Sequence, residues 1–358
     1  MGYSVLKDSI NGLDNLDSIL VGADGIPNTD DDGILNFGPS VPFGEGSYGV
    51  VVTDNDDGDG DYFSDSDDIV EIVSTGTIVK IKRTINVIHA ALPFALNHAI
   101  ITGGDLEISG SSNLIVQGDN GSVYTNGNIT ISGSPNVTQG VTASGNITPN
   151  PPPSTVEPAV SDAPFIRIPP VDPVFYRANV DVDYELRGNG DVFDVSNQQT
   201  LTNPGSFNGW VWNGIKWTLS DSTEGNGTYY IESDAEITGN SGDRIMTIIA
   251  TGSIEVHGGP RMQPDTTDLL FVAGGDVYIE GNPSLPYTGA ILAHEQIKIA
   301  GNTLINGSVL AENEVDISGM VTKAENGISG SATITYDGSL SPLFQKVYTG
   351  DLNLLSWY

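Results

Sequence analysis

Two stretches of the chain, LAHEQIKIAG (residues 292–301) and LAENEVDISG (310–319), share one plan. In each, a short apolar run is followed by a polar corner, a strand in which apolar and polar residues alternate, and a glycine. The alternation places Ile297 and Ile299 on one face of the strand and Lys298 on the other. Glycine then allows the backbone conformation that a sharp bend requires. The two stretches therefore predict a repeated unit of strand, corner, strand and bend.

The ending apolar-x-apolar-x-Gly occurs in seven segments. They are LEISG (106–110), ITISG (129–133), AEITG (235–239), IEVHG (254–258), VYIEG (277–281), IKIAG (297–301) and VDISG (315–319). Within two blocks, the segments start 23, then 19, 23, 20 and 18 residues apart. A unit of about 20 residues made of short strands is the signature of a β-helix coil. Because one coil cannot bury its inward face alone, successive coils must stack.

The sequence therefore predicts an all-β protein whose main part is a right-handed β-helix with about 20 residues per coil. Glycine and asparagine corners should form ladders along the outside of the stack. A β-sandwich is the alternative, but that fold would show hairpin turns rather than a uniform coil length.

Changes in composition along the chain predict five regions. They are an acidic antiparallel sheet domain (1–92), first β-helix coils (93–148), a proline-rich and aromatic excursion (149–229), further coils (230–340) and a C-terminal cap (341–358). The first region alternates as strands in 48–55, 68–76 and 77–89. The prolines of 149–173 break the coil repeat. The apolar tail is expected to cover the last coil, which would otherwise have an open edge.

The chain is acidic throughout. It has 46 Asp and Glu residues against 13 Lys and Arg residues, a formal net charge of −33. Nucleic acids and anionic membrane surfaces require the opposite sign, so neither is an expected partner. Cysteine is absent, which excludes disulfides, thiolate metal sites and cysteine nucleophiles. No apolar run approaches the length of a membrane span. We expect an extracellular protein without membrane contact by this segment.

Two acidic stretches of the first region are candidate metal sites: GADGIPNTDDDGIL (22–35) and DNDDGDGDYFSDSDD (54–68). Calcium loops place oxygen ligands at alternate positions, with a glycine where the chain turns. Both stretches have this spacing, so calcium is the predicted cofactor. The predicted ligands are Asn28, Asp30 and Asp32 in the first stretch and Asp54, Asp57, Asp59, Asp61, Asp65 and Asp68 in the second.

Neither stretch is a complete helix-loop-helix calcium motif. In the first, the twelfth position is Pro39 rather than glutamate, and in the second Tyr62 stands where glycine is expected. The alternative is a pair of solvated acidic turns that hold no metal.

Enzyme activity has little support in the sequence, although β-helices also occur in polysaccharide lyases and hydrolases. The basic residues Arg244, Arg261 and Lys298 are isolated, and Glu255, Glu280 and Asp316 recur at outward positions that are typical of a solvated face. The four histidines, His89, His98, His257 and His294, lack metal-ligand spacing. No nucleophile elbow or phosphate loop is present. We expect a non-enzyme.

Three tryptophans of the excursion, Trp210, Trp212 and Trp217, are candidate contacts for surface glycans, since an indole face stacks on sugar rings. Their alternation favours the simpler interpretation that one face is buried. Six Asn-x-Ser/Thr triplets match the glycosylation signal, at Asn120, Asn128, Asn136, Asn146, Asn226 and Asn306. An asparagine corner that precedes a coil strand produces the same string, and we favour that interpretation.

Several stretches in this order resemble the large PilX-type pilus assembly proteins of bacteria. They are GADGIPNTDDDGILNFG, SYGVVVTDNDDGDGD, DSDDIVEIVSTGT, IKRTINVIHAAL and YTGAILAHEQIKIAGNTLINGSVLAEN. In that family, a cleaved leader and a hydrophobic N-terminal helix precede this region and pack into a type IV pilus-like filament. This chain begins after the position where that helix would end.

The resemblance implies the extracellular part of a minor pilin-like protein. Residues 1–92 would be the pilin-proximal sheet, the β-helix would be a displayed module, and other pilin or pilus-assembly subunits would be partners. We therefore expect a calcium-stabilised structural or adhesive protein. The alternatives are a carbohydrate-active β-helix enzyme and a scaffold that forms filaments by stacking its coils.

Overall fold

A computed structural model describes residues 16–34, 40–55, 63–65, 68–111, 115–119, 121–149, 152–220, 225–239, 242–313 and 326–357. The chain divides into two compact units, one formed by residues 1–95 with 345–358 and the other by residues 96–344. The helices of the described residues are α1 (Asp17–Leu20), α2 (Pro173–Asn179) and a 3-10 helix (Ser154–Val156). Almost everything else with regular structure is strand.

The strands before the coils are β1 (Val41–Phe43), β2 (Gly46–Asp54), β3 (Ile69–Ile78) and β4 (Ile81–Pro93). Those of the coils are β5 (Ile100–Thr102), β6 (Leu106–Gly110), β7 (Ile115–Gln117), β8 (Val123–Thr125), β9 (Ile129–Gly133), β10 (Asn136–Val137), β11 (Val141–Ala143), β12 (Ile147–Thr148), β13 (Ala159–Val160), β14 (Tyr184–Leu186), β15 (Val192–Asp194), β16 (Gln199–Leu201), β17 (Trp210–Trp212), β18 (Trp217–Leu219), β19 (Gly227–Ile231), β20 (Ala235–Ile237), β21 (Asp243–Ala250), β22 (Ile254–Gly258), β23 (Arg261–Gln263), β24 (Leu269–Ala273), β25 (Val277–Gly281), β26 (Tyr287–Ala293), β27 (Ile297–Gly301), β28 (Leu304–Ala311), β29 (Asn326–Gly330) and β30 (Thr333–Thr335). The last strand is β31 (Tyr348–Trp357).

The first unit contains an antiparallel sheet in the order β1-β2-β3-β4-β31. One face of it buries Val50, Val52 and Ile72, and Leu16 and Leu20 from the two ends of α1 pack against them. This half-buried face is why the strands alternate in the sequence. The predicted antiparallel sheet before the coils is therefore present.

The sequence led us to expect that the C-terminal tail covers the last coil, but the tail belongs to the sheet of the first unit. Strand β31 pairs antiparallel with β4, from Trp357 opposite Val87 to Tyr348 opposite Pro93. The physical reason is that the last coil has no open edge. Its strands β28 and β29 are already paired with β5 and β6 of the first coil.

The second unit is a solenoid of parallel strands, which confirms the predicted β-helix. One long sheet has the order β13-β11-β8-β5-β28-β26-β24-β21-β19-β14, and the sheet of the next face has the order β12-β9-β6-β29-β27-β25-β22-β20-β18. Shorter strands, including β10, β7 and β30, form a third face. Alternate side chains point inward and form one continuous apolar core.

The coils do not stack in chain order. The chain enters the stack in the middle at β5, builds outward to β13, and then returns to the opposite end at β14. From there the coils build back until β28 pairs with β5. The nine strand spacings between β13 and β14 correspond to about 43 Å. The two predicted blocks of coils are therefore halves of one solenoid, joined at a seam in its middle.

Residues 163–180, which we call the strap, run along the outside of the coils from the end of the stack at β13 to the opposite end at β14. The strap residues meet successive coils in spatial order: Ala163 bonds to Ala143, Ile166 to Asn126, Val171 to Glu312 and Arg177 to Glu185. Asp172 caps α2 by accepting a hydrogen bond from the N–H of Val174, and a proline follows at the first helical position.

The predicted excursion over 149–229 is shorter in the structure. Strand β14 pairs in parallel with β19, and β18 with β20, so the coils resume at Tyr184 rather than near residue 230. Antiparallel hairpins, β14-β15-β16 and β17-β18, then close this end of the stack. The coil repeat is hard to recognise in this part of the sequence, because large aromatic side chains replace the usual aliphatic ones at the end of the core.

A ladder of polar side chains holds one corner of the coils together. The sequence predicts asparagine at such corners, and asparagine takes two of the places, while aspartate, serine and glutamine take the others. At this corner a side-chain oxygen accepts a hydrogen bond of 2.7–3.0 Å from the backbone N–H of the equivalent residue in the next coil. The members of this corner ladder are Asp234, Ser253, Asp276 and Gln296 in one run and Asp105, Asn128 and Asn146 in the other.

Several of the glycosylation-like triplets serve this structural purpose. Asn128 and Asn146 belong to the corner ladder, and the Oδ1 atom of Asn226 accepts a hydrogen bond of 3.0 Å from the N–H of Ile245. Asn120 lies outside the described residues.

A second ladder consists of the glycines that end the repeat. Gly258, Gly281 and Gly301 lie in register on neighbouring strands, and so do Gly330, Gly110 and Gly133 across the seam. An ideal Cβ atom on Gly281 would lie 1.8 Å from the carbonyl oxygen of Gly258. The close approach of successive coils therefore requires glycine at this corner.

Candidate functional site

Three carboxylates of the first acidic stretch converge on one hydroxyl. The Oγ1 atom of Thr29 lies 2.7 Å from an oxygen of Asp31, 3.2 Å from one of Asp32 and 3.4 Å from one of Asp24. Asp31 also accepts a hydrogen bond from the N–H of Ala23. The hydrogen bond from Thr29, opposed by partial desolvation and aided by backbone N–H groups, lowers the pKa of Asp31 below its usual value.

Of the three ligands predicted in this stretch, Asp32 belongs to that cluster. Asn28 adopts a left-handed conformation with φ of 66°, and Asp30 is exposed. The chain turns tightly here instead of running extended, so alternate residues do not share a side. Asp24, which alternate spacing did not select, comes from the GADG turn seven residues before Asp31.

The second acidic stretch is described in part, and Asp57, Asp59 and Asp61 lie outside the described residues. Asp54 is buried at the end of β2. Asp65 accepts a hydrogen bond of 3.1 Å from the N–H of Ile69. Asp68 forms an ion pair with Lys346, so an ammonium group neutralises this carboxylate.

The tryptophans lie at the closed end of the solenoid. Trp210 and Trp217 are fully buried, and the Nε1–H of Trp217 donates a hydrogen bond of 3.0 Å to the carbonyl oxygen of Arg187. A sugar ring cannot reach either of them. Trp212 is half-buried against Trp217, with their ring centroids 5.6 Å apart. Burial of one face, the simpler interpretation of the alternation, is what the structure shows.

A charged cluster that the sequence did not reveal lies on the outer face of the sheet that contains β18, β20 and β22. The Nζ atom of Lys216 lies 3.1 Å from a carboxylate oxygen of Glu236 and 2.9 Å from one of Glu255. The Nε2 atom of His257 is 3.6 Å from Glu255. Within the described ranges, Glu236, Glu255 and His257 are the only set whose possible metal-ligand atoms all lie within 4.8 Å of one another.

Strand register creates this cluster. Glu236 and Glu255 are paired residues of β20 and β22, and His257 follows on the same face. A turn between β17 and β18 brings in Lys216. Both glutamates take the second position of the repeat, in AEITG and IEVHG. These equivalent positions in the repeat were the signal in the sequence that the two glutamates lie side by side, since equivalent residues of adjacent coils are neighbours.

The electrostatics of the cluster favour a fixed ion pair over acid–base chemistry. Burial opposes the charge of Lys216, but hydrogen bonds from its ammonium group to Glu255 and Glu236 outweigh it and raise its pKa. A lysine that acts as a general base needs a lowered pKa. Nearby, burial and a hydrogen bond to Glu280 raise the pKa of Tyr278 to about 12, so its phenol stays protonated near neutral pH.

No protein-family model matches the chain, and no curated protein matches it either. The crystal structure of the competence-associated pilin ComZ from Thermus thermophilus is similar to it at 14% identity, with a TM-score of 0.38, over 95% of this chain and 91% of that chain. A likeness at this level carries no argument about function. Neither α1 nor α2, the α-helices of the described residues, has the length and hydrophobicity of a membrane span.

Proposed function

We propose that the protein is a non-enzymatic structural component of a pilus-like appendage outside the cell. Its solenoid would be a displayed scaffold, and its partners would be other pilin or pilus-assembly subunits and surface glycans. The sequence resemblance to PilX-type proteins supports this assignment. Bound calcium would stabilise the first acidic stretch, and the convergence of Asp24, Asp31 and Asp32 on Thr29 supports that part.

The observation that carries the proposal is the split solenoid. Ladders of glycine and polar side chains occupy its corners, and the strap ties coils from both halves together. Most of the described residues thus belong to one continuous stack, as a scaffold requires. The hairpins β14-β15-β16 and β17-β18 end one side of the stack with antiparallel strands in place of the parallel edge of a coil. These features oppose a filament made by stacking coils end to end.

The test is localisation of the full-length protein in the source organism. If it belongs to a surface appendage, mechanical shearing of intact cells should release it with the filament fraction. Disruption of the pilus assembly machinery should remove it from that fraction while its amount in whole cells is unchanged. Recovery only from the cell interior would refute the proposal.

The alternative of a carbohydrate-active enzyme is tested at Lys216, the basic residue that lies between two carboxylates on an outer sheet face. The test is incubation with a panel of acidic polysaccharides and measurement of new reducing ends and of unsaturated products by ultraviolet absorbance. Release that is lost in Lys216→Ala but kept in Lys298→Ala would favour the enzyme. No release by the wild type would favour the structural assignment.

A further inference from the structure

The hairpin that joins β3 to β4 ends in an exposed apolar tip. Val79 is 83% exposed and Ile81 is 61% exposed, and Phe43 beside them is 78% exposed. Val79 also has a φ of 55°, a conformation that β-branched residues rarely adopt. We define the tip as Phe43, Ile78, Val79, Lys80, Ile81, Lys82, Arg83 and Ile85. A cluster of large apolar side chains in water is typical of a binding surface.

The tip continues the buried face of the sheet. Strand register places Ile78, Ile81 and Arg83 on the same face as Val50 and Val52. The helix α1 covers the part of this face that is far from the tip. At the tip, a cavity of about 310 Å³ remains open, lined by residues that include Phe43, Tyr48, Ile78, Ile81 and Arg83. A partner could therefore insert an apolar side chain here.

The tip is also basic, in a chain with a net charge of −33. It holds Lys80, Lys82 and Arg83, three of the 13 basic residues, and all three are exposed. Within the described residues, none of them has a salt bridge. Glu45, in the turn between β1 and β2, precedes Gly46, which pairs with Ile78 of the tip. The surface that fits this tip is acidic and carries an apolar group.

Carboxylates collect toward the opposite end of the same sheet. They are Asp17, Asp24, Asp30, Asp31, Asp32 and Asp65, which we call the acidic end. Asp68 is left out because it is paired with Lys346. Strand β2 runs from Gly46 beside the tip to Asp54 at the acidic end, and these eight residue steps span about 27 Å. The first unit thus has opposite charge at the two ends of one sheet.

We propose that the tip docks onto the acidic end of a second copy of this chain. The interface is head-to-tail, so the second copy still presents a free tip and further copies can add. Contact between two tips is disfavoured, because it would bring two sets of three cations together. The inference goes beyond the proposed function, since it concerns only copies of this chain.

The experiment measures association of the whole chain by sedimentation velocity in 0.15 M salt with a chelator present. We expect the weight-average mass of the wild type to rise with concentration between 1 and about 100 µM, a range typical of transient contacts. A tip variant with Lys80→Glu, Lys82→Glu and Arg83→Glu should associate at least tenfold more weakly. So should an acidic-end variant with Asp24→Lys and Asp30→Lys. These five residues are exposed, and circular dichroism checks that each variant is folded.

The decisive arm mixes the two variants. A head-to-tail interface leaves one intact tip and one intact acidic end in the mixture, so association should recover but stop at a one-to-one pair. A matched control carries three substitutions in the second unit, Arg167→Glu, Arg261→Glu and Lys298→Glu. It changes the net charge by the same amount as the tip variant and should associate like the wild type. A wild type that stays monomeric, a tip variant that associates normally, or a mixture that does not recover would each overturn the proposal.

Discussion

Replacement of Gly281 by alanine tests whether close coil contact dictates the repeat. An ideal Cβ atom at this position lies 1.8 Å from the carbonyl oxygen of Gly258 and 3.0 Å from its carbonyl carbon. Non-bonded carbon and oxygen atoms need more than 3 Å, so the neighbouring coil must move by over 1 Å. The carbonyl oxygen of Gly258 also accepts a hydrogen bond of 3.3 Å from the N–H of Asn282, which this movement would disturb.

The expected loss of stability combines two effects. Overpacking of a tight contact costs about 1–3 kcal/mol, and loss of a hydrogen bond costs about 0.5–1.5 kcal/mol more. Gly281→Ala should therefore lower the free energy of unfolding by roughly 1.5–4.5 kcal/mol. The matched control is Gly327→Ala in β29, where the nearest atom to an added Cβ is Cγ of Lys298 at 3.8 Å. That change should be neutral or stabilise by about 0.4–1 kcal/mol.

The assay is urea unfolding followed by far-ultraviolet circular dichroism, with the two variants and the wild type measured side by side. The difference in midpoint, multiplied by the common slope, is the change in stability. If Gly281→Ala and Gly327→Ala unfold within about 0.5 kcal/mol of each other, the contact between coils does not require glycine. The steric explanation of the repeat would then be wrong.

Three further predictions follow from single sites. Asn326→Leu at the seam should lower the free energy of unfolding in urea by about 1–3 kcal/mol. The buried N–H of Ile297 would lose the amide oxygen to which it donates a hydrogen bond of 3.0 Å. A change near zero would show that the seam does not need this hydrogen bond. Calcium at 100 times its dissociation constant should add about 2.7 kcal/mol to the free energy of unfolding, measured by thermal unfolding. This gain should vanish in Asp32→Asn but persist in the control Asp162→Asn. If calcium does not stabilise the wild type, the calcium proposal is wrong. Burial lowers the pKa of His98 in the folded chain, so the unfolded chain takes up this proton at a higher pH than the folded chain does. The free energy of unfolding should therefore fall as the pH drops below about 6.5, and it should fall less in His98→Gln.

The coil itself could be predicted from the sequence because its causes are local. Alternation marks Ile297 and Ile299 as inward, and the glycine after each strand follows from the approach of the next coil. The antiparallel strands of the first unit are predictable for the same reason. Aromatic coils such as Trp217–Leu219 escaped prediction because the pattern of small corners and aliphatic cores fails where large rings close the stack.

The candidate sites were harder to predict because contacts between distant residues create them. Alternate spacing selected Asn28, Asp30 and Asp32, whereas the tight turn brings Asp24 and Asp31 together with Asp32 around Thr29. No local pattern links Lys216 to Glu236 and Glu255. Their meeting depends on a hairpin at the end of the solenoid and on the register of two coils.

The sequence by itself determined the repeating unit, its inward face and its glycine corners, because alternation acts within one strand and every coil meets the same steric limit at the same position of the repeat. Only the tertiary structure decided the order of the coils. Every coil offers the same parallel edge, so local patterns cannot tell which edge pairs with which. The choice of β28 beside β5 depends on long-range contacts, namely the strap that carries the chain to the far end and the Asn326 amide that bridges the two halves.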